Sequence, residues 1–335
     1  MNFLLGRGGA LLLLAVAIVF PLISQNQYHI YLMSLAFIWT MATAGMNLIT
    51  GYTGQLNLAH AGFVAIGAYT VGLLTVDYGL NFWAAFVLSG LLAGLIGFFV
   101  GIVSLRLTEH YFAIFTLCVG FIIWQLLEKW EGLTHGVHGV IDIPAPADLF
   151  GISFASPTAQ YYLVLFFLVV TLWLMHRIVT SLLGRTFLAI RNSEQLAEAL
   201  GIHLMRNKVL SFVLSTIIAG YAGGLYAGSV RFLDPSLSGV TIAFDMVTYL
   251  LVGGIGTLFG PLVGTLLVIW VSQYLQFLQD FRMIVFGPLL VVLVIFFPRG
   301  IVGYLQQKKM ERAARLAEQA GRAAGERKVE AKSNA

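Results

Sequence analysis

Cysteine and charged residues are scarce in this sequence. The single cysteine, Cys118, excludes an intrachain disulfide and any metal cluster held by cysteines. Because Cys118 lies within an apolar run, we predict that it is a small packing residue. Charged residues make up 10% of the chain, whereas a soluble globular protein has about a quarter. The formal net charge of +4 does not favour nucleic-acid binding, since the basic residues lie in short loops and in the C-terminal tail.

Motifs for catalysis are also absent. The sequence has no G-x-x-x-x-G-K-[ST] phosphate-binding loop, so transport driven by ATP would require a second chain to hydrolyse it. The seven histidines do not follow metal-ligand spacing; His135 and His138 share a loop without a third ligand. No serine lies in a nucleophile-elbow pattern. We therefore expect no enzyme activity, no catalytic residue, and no metal or cofactor held by this chain.

Hydrophobic residues make up 59% of the sequence and occur in long runs. About 20 such residues cross a bilayer as a helix, and a helix satisfies its own backbone hydrogen bonds there. We predict an all-α, polytopic integral membrane protein with about 8–10 transmembrane helices, some of them glycine-broken or re-entrant. The predicted spans, of which the first is an uncleaved N-terminal helix, are residues 1–20, 30–49, 61–76, 82–105, 111–127, 161–175, 209–230, 241–255, 262–278 and 283–297.

Glycine interrupts the apolar runs in two places. One is the polar stretch GYTGQLNLAH at residues 51–60, and the other contains Gly253, Gly254, Gly256 and Gly260. Irregular backbone at membrane depth is tolerated only where protein or a watery cavity covers it. Discontinuous helices can direct N–H groups to a carboxylate, so we predict a substrate path at the first interruption. The candidate residues are Gly51, Thr53, Gly54, Gln55, Asn57 and His60.

A structural interpretation of the same stretch stays open. Asn57 and His60 would then cap helix ends, and the glycines would only permit close helix packing. Asp245, the one acid well inside a predicted span, also has two interpretations. An intramembrane acid is a functional candidate by default, but Asp245 near the end of its helix would be hydrated.

The most highly charged interior segment is GRTFLAIRNSEQLAEALG at residues 184–201. Helical periodicity from Asn192 places Leu196, Ala199 and Leu200 on one face and the glutamates on another, and a glycine then ends the helix. A helix with charges of both signs favours docking to a soluble ATPase over lying on lipid headgroups, which remains the alternative. The predicted ATPase-coupling residues are Arg191, Glu194, Ala197, Glu198 and Gly201.

Four segments, in order, carry a resemblance to a known family. They are GYTGQLNLAHAGFVAIGAYT, YFAIFTLCVG, the segment GRTFLAIRNSEQLAEALGI and the terminal FFPRGIVG. They resemble the permease subunits of branched-chain amino-acid ABC importers, in particular the LivM-like subunit. The family's cytoplasmic EAA-like loop matches residues 191–201, although only Ala197 and Gly201 agree strictly with the general importer motif. The segment THGVHGV resembles the family's Gly-rich outer segment, with His135 in place of a glycine.

The resemblance implies a subunit of an ATP-driven importer that makes and breaks no covalent bonds. Its implied partners are a second, LivH-like permease, two ABC ATPase subunits that bind the ATP, and a periplasmic solute-binding protein delivering branched-chain amino acids. Urea, short amides or other small carboxylates are alternative solutes, and an ion-coupled secondary amino-acid transporter is the alternative from another class.

The charges then orient the predicted chain. With ten crossings, the basic segment at 177–208 and the tail lie on one side, which the positive-inside rule identifies as cytoplasmic. We expect a multi-pass protein of the bacterial inner membrane with both termini in the cytoplasm. The predicted parts are a transmembrane permease domain at 1–303, which includes a periplasmic loop at 128–159 and a cytoplasmic coupling loop at 181–208, and a charged cytoplasmic tail at 304–335.

Overall fold

The computed structural model describes residues 7–24, 26–107, 109–148, 151, 153–274, 300–305, 307–308 and 311. Within these residues the chain folds into α-helices joined by short 3₁₀ and π segments, with no β-strand beyond one isolated bridge. The helices are α1 (Arg7–Ile23), α2 (Gln27–Asn47), α3 (His60–Val76), α4 (Phe82–Ser104), α5 (Glu109–Lys129), α6 (Glu131–Thr134), α7 (Pro157–Thr180), α8 (Leu182–Asn192), α9 (Glu194–Ala199), α10 (Leu204–Val230), α11 (Val240–Gly253) and α12 (Gly260–Tyr274).

The all-α membrane fold predicted from the apolar runs is confirmed. Five helices in the described part are long and apolar enough to cross a bilayer: α2 with its π extension, α4, α5, α7 and α10. Shorter apolar helices occur at Leu13–Ile23, His60–Val76, Val240–Gly253 and Gly260–Tyr274, all within or next to predicted spans. The predicted span at 283–297 and almost all of the tail lie outside the described residues.

Small residues bring the central helices α3, α4 and α10 together. A Cβ on Gly220 of α10 would lie 2.6 Å from the Cβ of Ala93 and from the carbonyl oxygen of Ser89, both on α4. A Cβ on Gly90 would lie 2.5 Å from the ring of Tyr221. Membrane helices pack through such small residues because lipid provides no hydrophobic drive to associate. The central helices therefore form a rigid core around which the polar segments are arranged.

Helix α1 attaches to α7 through a backbone group that proline leaves unpaired. Pro21 lies inside α1 and has no N–H to donate to the carbonyl oxygen of Ala17, four residues before it. The hydroxyl of Tyr161 on α7 donates to that oxygen at 2.6 Å, and Tyr162 donates to the oxygen of Ile18 at 3.0 Å. The tyrosines thus satisfy carbonyls in a region where an unpaired group is costly.

Two expectations need correction. The charged segment forms two helices, α8 and α9, instead of one, because Ser193 has extended backbone angles (φ −165°, ψ 112°) and its hydroxyl accepts from the Leu196 N–H at 3.2 Å as an N-cap. Cys118 is exposed, so the prediction of a packing residue within this chain is wrong. It lies on α5, a helix with much of its surface uncovered.

The molecule has two polar ends, which we name by their residues. The α9 face carries α8, α9 and two non-helical breaks, residues 53–59 (the first break) and residues 254–259 (the second break). The loop face carries α6, the segment 139–148 and the C-terminal end of α10. There the backbones of Val140 and Leu233 form an antiparallel bridge, and the Trp83 indole N–H donates to the Ala147 carbonyl at 2.9 Å.

Candidate functional site

The first break begins where α2 passes into a π-helix, Leu48–Tyr52. π-helical turns inside α-helices often occur at functional sites. Threonine hydroxyls bind backbone carbonyls in and after this π-helix. Thr50 Oγ1 donates to the Gln55 carbonyl at 3.1 Å, and Thr53 Oγ1 donates to the Leu48 carbonyl at 3.1 Å. Thr53 also lies 2.7 Å from Ser211 Oγ on α10. The break is therefore a hydrogen-bonded turn in which Thr53 is buried and Leu56 is 38% exposed.

Asn57 and His60 complete the first break and start α3. Asn57 Oδ1 accepts from the Ala59 N–H at 3.0 Å, and its Nδ2 lies 3.5 Å from His60 Nδ1. His60 Nε2 lies 3.0 Å from the Ala42 carbonyl oxygen on α2. Both side chains are fully buried. Asn57 thus forms a turn before α3 and His60 joins α3 to α2, while Ala59, the N-cap of α3, makes no side-chain hydrogen bond.

Asn47 joins the first break to the second. This buried residue is the last of α2; its Nδ2 donates to the Thr257 carbonyl and its Oδ1 accepts from the Gly256 N–H, both at 2.8 Å. Gly256 has a φ of +73°, in the left-handed region that favours glycine. A Cβ on Gly51 would lie 2.6 Å from the Gly256 nitrogen, so glycine at 51 permits this approach. The two breaks form one polar junction.

Arg191, the second-to-last residue of α8, contacts both breaks at this junction. Its Nη1 donates to the Gly51 carbonyl and lies beside Gly256. A Cβ on Gly54, which has a φ of +83°, would lie 3.1 Å from Arg191 Cγ. The guanidinium therefore neutralises carbonyl charge at the end of α2, where cations are favoured by the helix dipole.

Glu194, the first residue of α9, makes the second connection. Its Oε1 accepts from Gln55 Nε2 of the first break at 3.1 Å and lies 2.6 Å from Lys208 Nζ on α10. The Lys208 side chain is 7% exposed and that of Glu194 is 39% exposed. A lysine so deeply buried needs a partner, since an unpaired buried charge is strongly unfavourable.

The outer side of α9 is exposed. Leu196 is 62% exposed and Leu200 is 72% exposed, while Ala197 is buried beneath them. Glu198 is also exposed. Gly201, with a φ of +81°, donates to the Glu198 carbonyl, and Ile202 donates to that of Ala197, which is a Schellman motif.

The structure thus brings two predicted groups together. Gly51, Gly54 and Gln55 touch Arg191 or Glu194, although about 140 residues separate them in sequence. Ala197 and Glu198 lie on α9, and Gly201 follows its C-terminal end. Sequence reasoning missed Asn47, Lys208 and Ser211. A signal for Lys208 was its position at the start of a long apolar run, where a lysine that cannot reach water requires a partner.

On the loop face, the segment THGVHGV turns through a residue in the left-handed conformation. His135 has a φ of +61°, which is uncommon for a residue other than glycine. Its Nε2 lies 3.1 Å from Asp77 Oδ2, at the end of α3. Within the described residues no group of three His, Cys, Asp or Glu side chains could hold a metal ion.

The chain is similar in sequence to known transport permeases. Residues 28–294 match the family described as branched-chain amino acid transport system / permease component. The chain is 31% identical to the high-affinity branched-chain amino acid transport system permease protein LivM of Escherichia coli, over 93% of this chain and 78% of that protein. It is 24% identical to LivH of the same organism, over 81% of this chain and 93% of that protein.

A further relative has another solute in its name. The autoinducer 2 import system permease protein LsrC of Yersinia pestis is 26% identical, over 80% of this chain and 77% of that protein. No solved structure matches the chain significantly.

Proposed function

This chain belongs to the family of branched-chain amino acid transport permeases, and from that premise we propose that it is the LivM-like membrane subunit of an ATP-driven importer. Its solute would be a branched-chain amino acid, as in the names of its LivM and LivH relatives. A LivH-like permease, two ATPase subunits and a periplasmic binding protein complete the proposed complex. The inner membrane is its proposed location, with the α9 face in the cytoplasm.

One observation carries the coupling role: α8 and α9 are bound to the membrane helices on one side and exposed on the other. Arg191 and Glu194 contact the breaks, while Leu196 and Leu200 present apolar surface outward. Exposed leucines rimmed by charges are suited to a protein groove, since burial of apolar area drives association. The ATPase would occupy this surface.

The proposed mechanism is alternating access. Closure of the ATPase dimer displaces α9, and the contacts of Arg191 and Glu194 carry that displacement to the two breaks, because packed elements move as rigid bodies. The side chains of Thr53, Gln55, Asn57 and His60 and the Gly51 carbonyl are hydrogen-bonded within the chain, whereas Gly54 is exposed. Gln55 Oε1 is an exception: it is buried and has no partner among the described residues. Movement of the first break would present these groups to the solute.

Co-purification tests the docking surface. Leu196→Lys with Leu200→Lys should prevent the ATPase subunit from co-purifying with the permease in mild detergent, because buried lysines in an interface are unfavourable. Leu80→Lys is the matched control, since Leu80 is 40% exposed on the loop face. Retention of the ATPase by the double variant would contradict the docking role.

Charge reversal tests the coupling itself. Glu194→Lys with Glu198→Lys, and separately Gly201→Pro, should reduce solute uptake per ATP hydrolysed without preventing membrane insertion. Uptake of leucine by the reconstituted complex, compared with urea and short amides, tests the solute class. Normal coupling in all these variants would refute the proposal.

A further inference from the structure

A pocket with both polar and apolar lining opens on the loop face, at the opposite end of the molecule from α9. Its volume is about 400 Å³, within the range that holds small molecules. It lies between the first turns of α2 and α7 and the last turn of α10. Its polar lining residues are Gln27, Tyr28, Tyr31, Ser34, Gln160, Ser229 and Arg231.

Arg231 is the one charged residue among those that line this pocket, and its backbone is held firmly. It caps the C-terminal end of α10 in a left-handed conformation with a φ of +63°, which is uncommon for a residue other than glycine. Its N–H donates to the Ala227 carbonyl at 2.9 Å, and its carbonyl accepts from the Ile143 N–H at 3.3 Å. The segment 139–148 thereby fixes the arginine on the pocket wall.

The guanidinium uses only part of its hydrogen-bonding capacity. Its Nε donates to the Ile143 carbonyl at 3.0 Å, and no hydrogen bond of its Nη atoms occurs within the described residues. Neither of the ion pairs in the described part of the chain involves Arg231. The nearby Asp234 instead uses its carboxylate to cap a 3₁₀ turn, accepting from the Ser236 N–H at 2.7 Å. The positive charge is therefore available to a ligand.

We propose that this pocket is a subsite for the carboxylate of a free amino acid at the outer opening of the solute path. A guanidinium matches a carboxylate with two parallel hydrogen bonds. The Gln160 amide oxygen and the Ser229 hydroxyl offer acceptors for the ammonium group, and the Tyr28 and Tyr31 rings offer apolar surface for the side chain. This inference rests on the proposed function and deepens it, because urea and simple amides have no carboxylate to bind.

Arginine-specific labelling tests the site directly. Phenylglyoxal modifies accessible arginines, and peptide mass spectrometry then quantifies each one in the purified complete transporter. Leucine should protect Arg231, reducing its labelling about threefold at a concentration of roughly twice the dissociation constant, as mass action requires. Leucinamide, which lacks the carboxylate, and urea should not protect it. Arg206 is the matched control, since it is exposed at the other end of the same helix.

The outcomes separate this inference from the proposed function. Labelling of Arg231 that leucine leaves unchanged throughout its titration overturns the subsite, whatever the uptake assay shows. Protection by the unloaded binding protein alone, and not by leucine, also overturns it, because Arg231 would then be a docking contact. Protection by leucine in a complex that imports no leucine with ATP would instead refute the proposed function and leave the subsite standing.

Transport measurements give the second arm. Arg231→Gln should lower leucine uptake about tenfold while binding-protein-stimulated ATP hydrolysis continues, since lost recognition leaves the ATPases intact. Leucine uptake by Arg231→Lys should lie between that of Arg231→Gln and that of the unaltered chain, because lysine retains the positive charge but cannot form two parallel hydrogen bonds to a carboxylate. Uptake by Arg231→Gln equal to that of the unaltered chain would contradict the subsite.

Discussion

The α9 face and the loop face use their charged residues in opposite ways. On the α9 face, Arg191 and Glu194 form hydrogen bonds within the chain. Arg191 binds the Gly51 carbonyl, and Glu194 contacts Gln55 and the buried Lys208. On the loop face, Arg231 lines a pocket and its Nη atoms are unused within the described residues, and the side chains of the His135–Asp77 contact are 45% and 32% exposed. This contrast supports the two proposals, in which one end transmits movement and the other receives a ligand.

The difference follows from burial. The Glu194–Lys208 pair joins elements at 2.6 Å with the lysine nearly inaccessible, so separating the pair exposes a charge to an apolar interior. The His135–Asp77 pair is screened by water, and such pairs contribute about 0–1 kcal/mol. We therefore expect mutations on the α9 face to have larger effects than mutations at the His135–Asp77 pair on the loop face.

The largest effect on stability is expected where Asn47 joins the breaks. Asn47→Leu keeps the volume but leaves the Gly256 N–H and the Thr257 carbonyl unpaired, which should lower the free energy of unfolding by about 3 kcal/mol. Thermal unfolding of the purified transporter measures the change. Asn207→Leu is the control, because that side chain bonds only within its own helix. Equal midpoints for the two variants would show that the breaks are not joined energetically.

The next effect is on coupling. Arg191→Ala removes the contact between α8 and Gly51, and should lower solute uptake about tenfold while ATP hydrolysis persists, a coupling loss of about 1.4 kcal/mol. Arg185→Ala, an exposed arginine of the same helix, provides the control. If both variants reduced uptake equally, the effect would belong to general loss of charge and not to the junction.

An effect of similar size, but on stability, is expected from the Glu194–Lys208 pair. A double-mutant cycle with Glu194→Gln and Lys208→Met, measured on the free energy of unfolding, should give an interaction of about 1–2 kcal/mol, because the pair is partly exposed on the glutamate side. Glu198→Gln in place of Glu194→Gln should give an interaction near zero with Lys208→Met. If the effects of Glu194→Gln and Lys208→Met on the free energy of unfolding are additive, the two side chains do not stabilise each other.

The smallest effect is expected on the loop face. Asp77→Asn breaks the exposed pair with His135 and should change the free energy of unfolding by less than about 0.5 kcal/mol, with leucine uptake unaltered. The same unfolding and uptake assays apply. A loss of free energy of unfolding as large as the interaction measured for Glu194 and Lys208 would show that the two faces do not differ in this way.

Much of the fold could be predicted from apolar runs and glycines. The first break lies within residues 51–60, α3 begins at His60, and the second break follows Gly253, because closely spaced glycines and polar residues disfavour a continuous apolar helix at these points. Gly201 ends α9 as the glycine pattern predicts. These are local properties, which sequence order determines.

The contacts at the junction could not be predicted in this way. Gln55 and Glu194 meet only because α3, α8 and α10 pack around them, and no local pattern encodes a pairing across 139 residues. The separation of α8 from α9 was also missed, since the capping preference of Ser193 outweighed the apolar periodicity that continues through it. Sequence predicted which residues were polar and helical, but not their partners.

A cross-link between the first break and α9 tests the central claim most directly. In a background of Cys118→Ser and Lys208→Met, which leaves no unpaired lysine beside position 194, Gln55→Cys with Glu194→Cys removes a 3.1 Å hydrogen bond and should impair uptake by the reconstituted complex. A short bifunctional thiol reagent then joins the two positions. The account predicts that uptake recovers, because break and helix move as one unit and the covalent link replaces the lost contact. A further fall in uptake on cross-linking, reversed when the link is cleaved, would show that the two must separate during transport and would contradict the account.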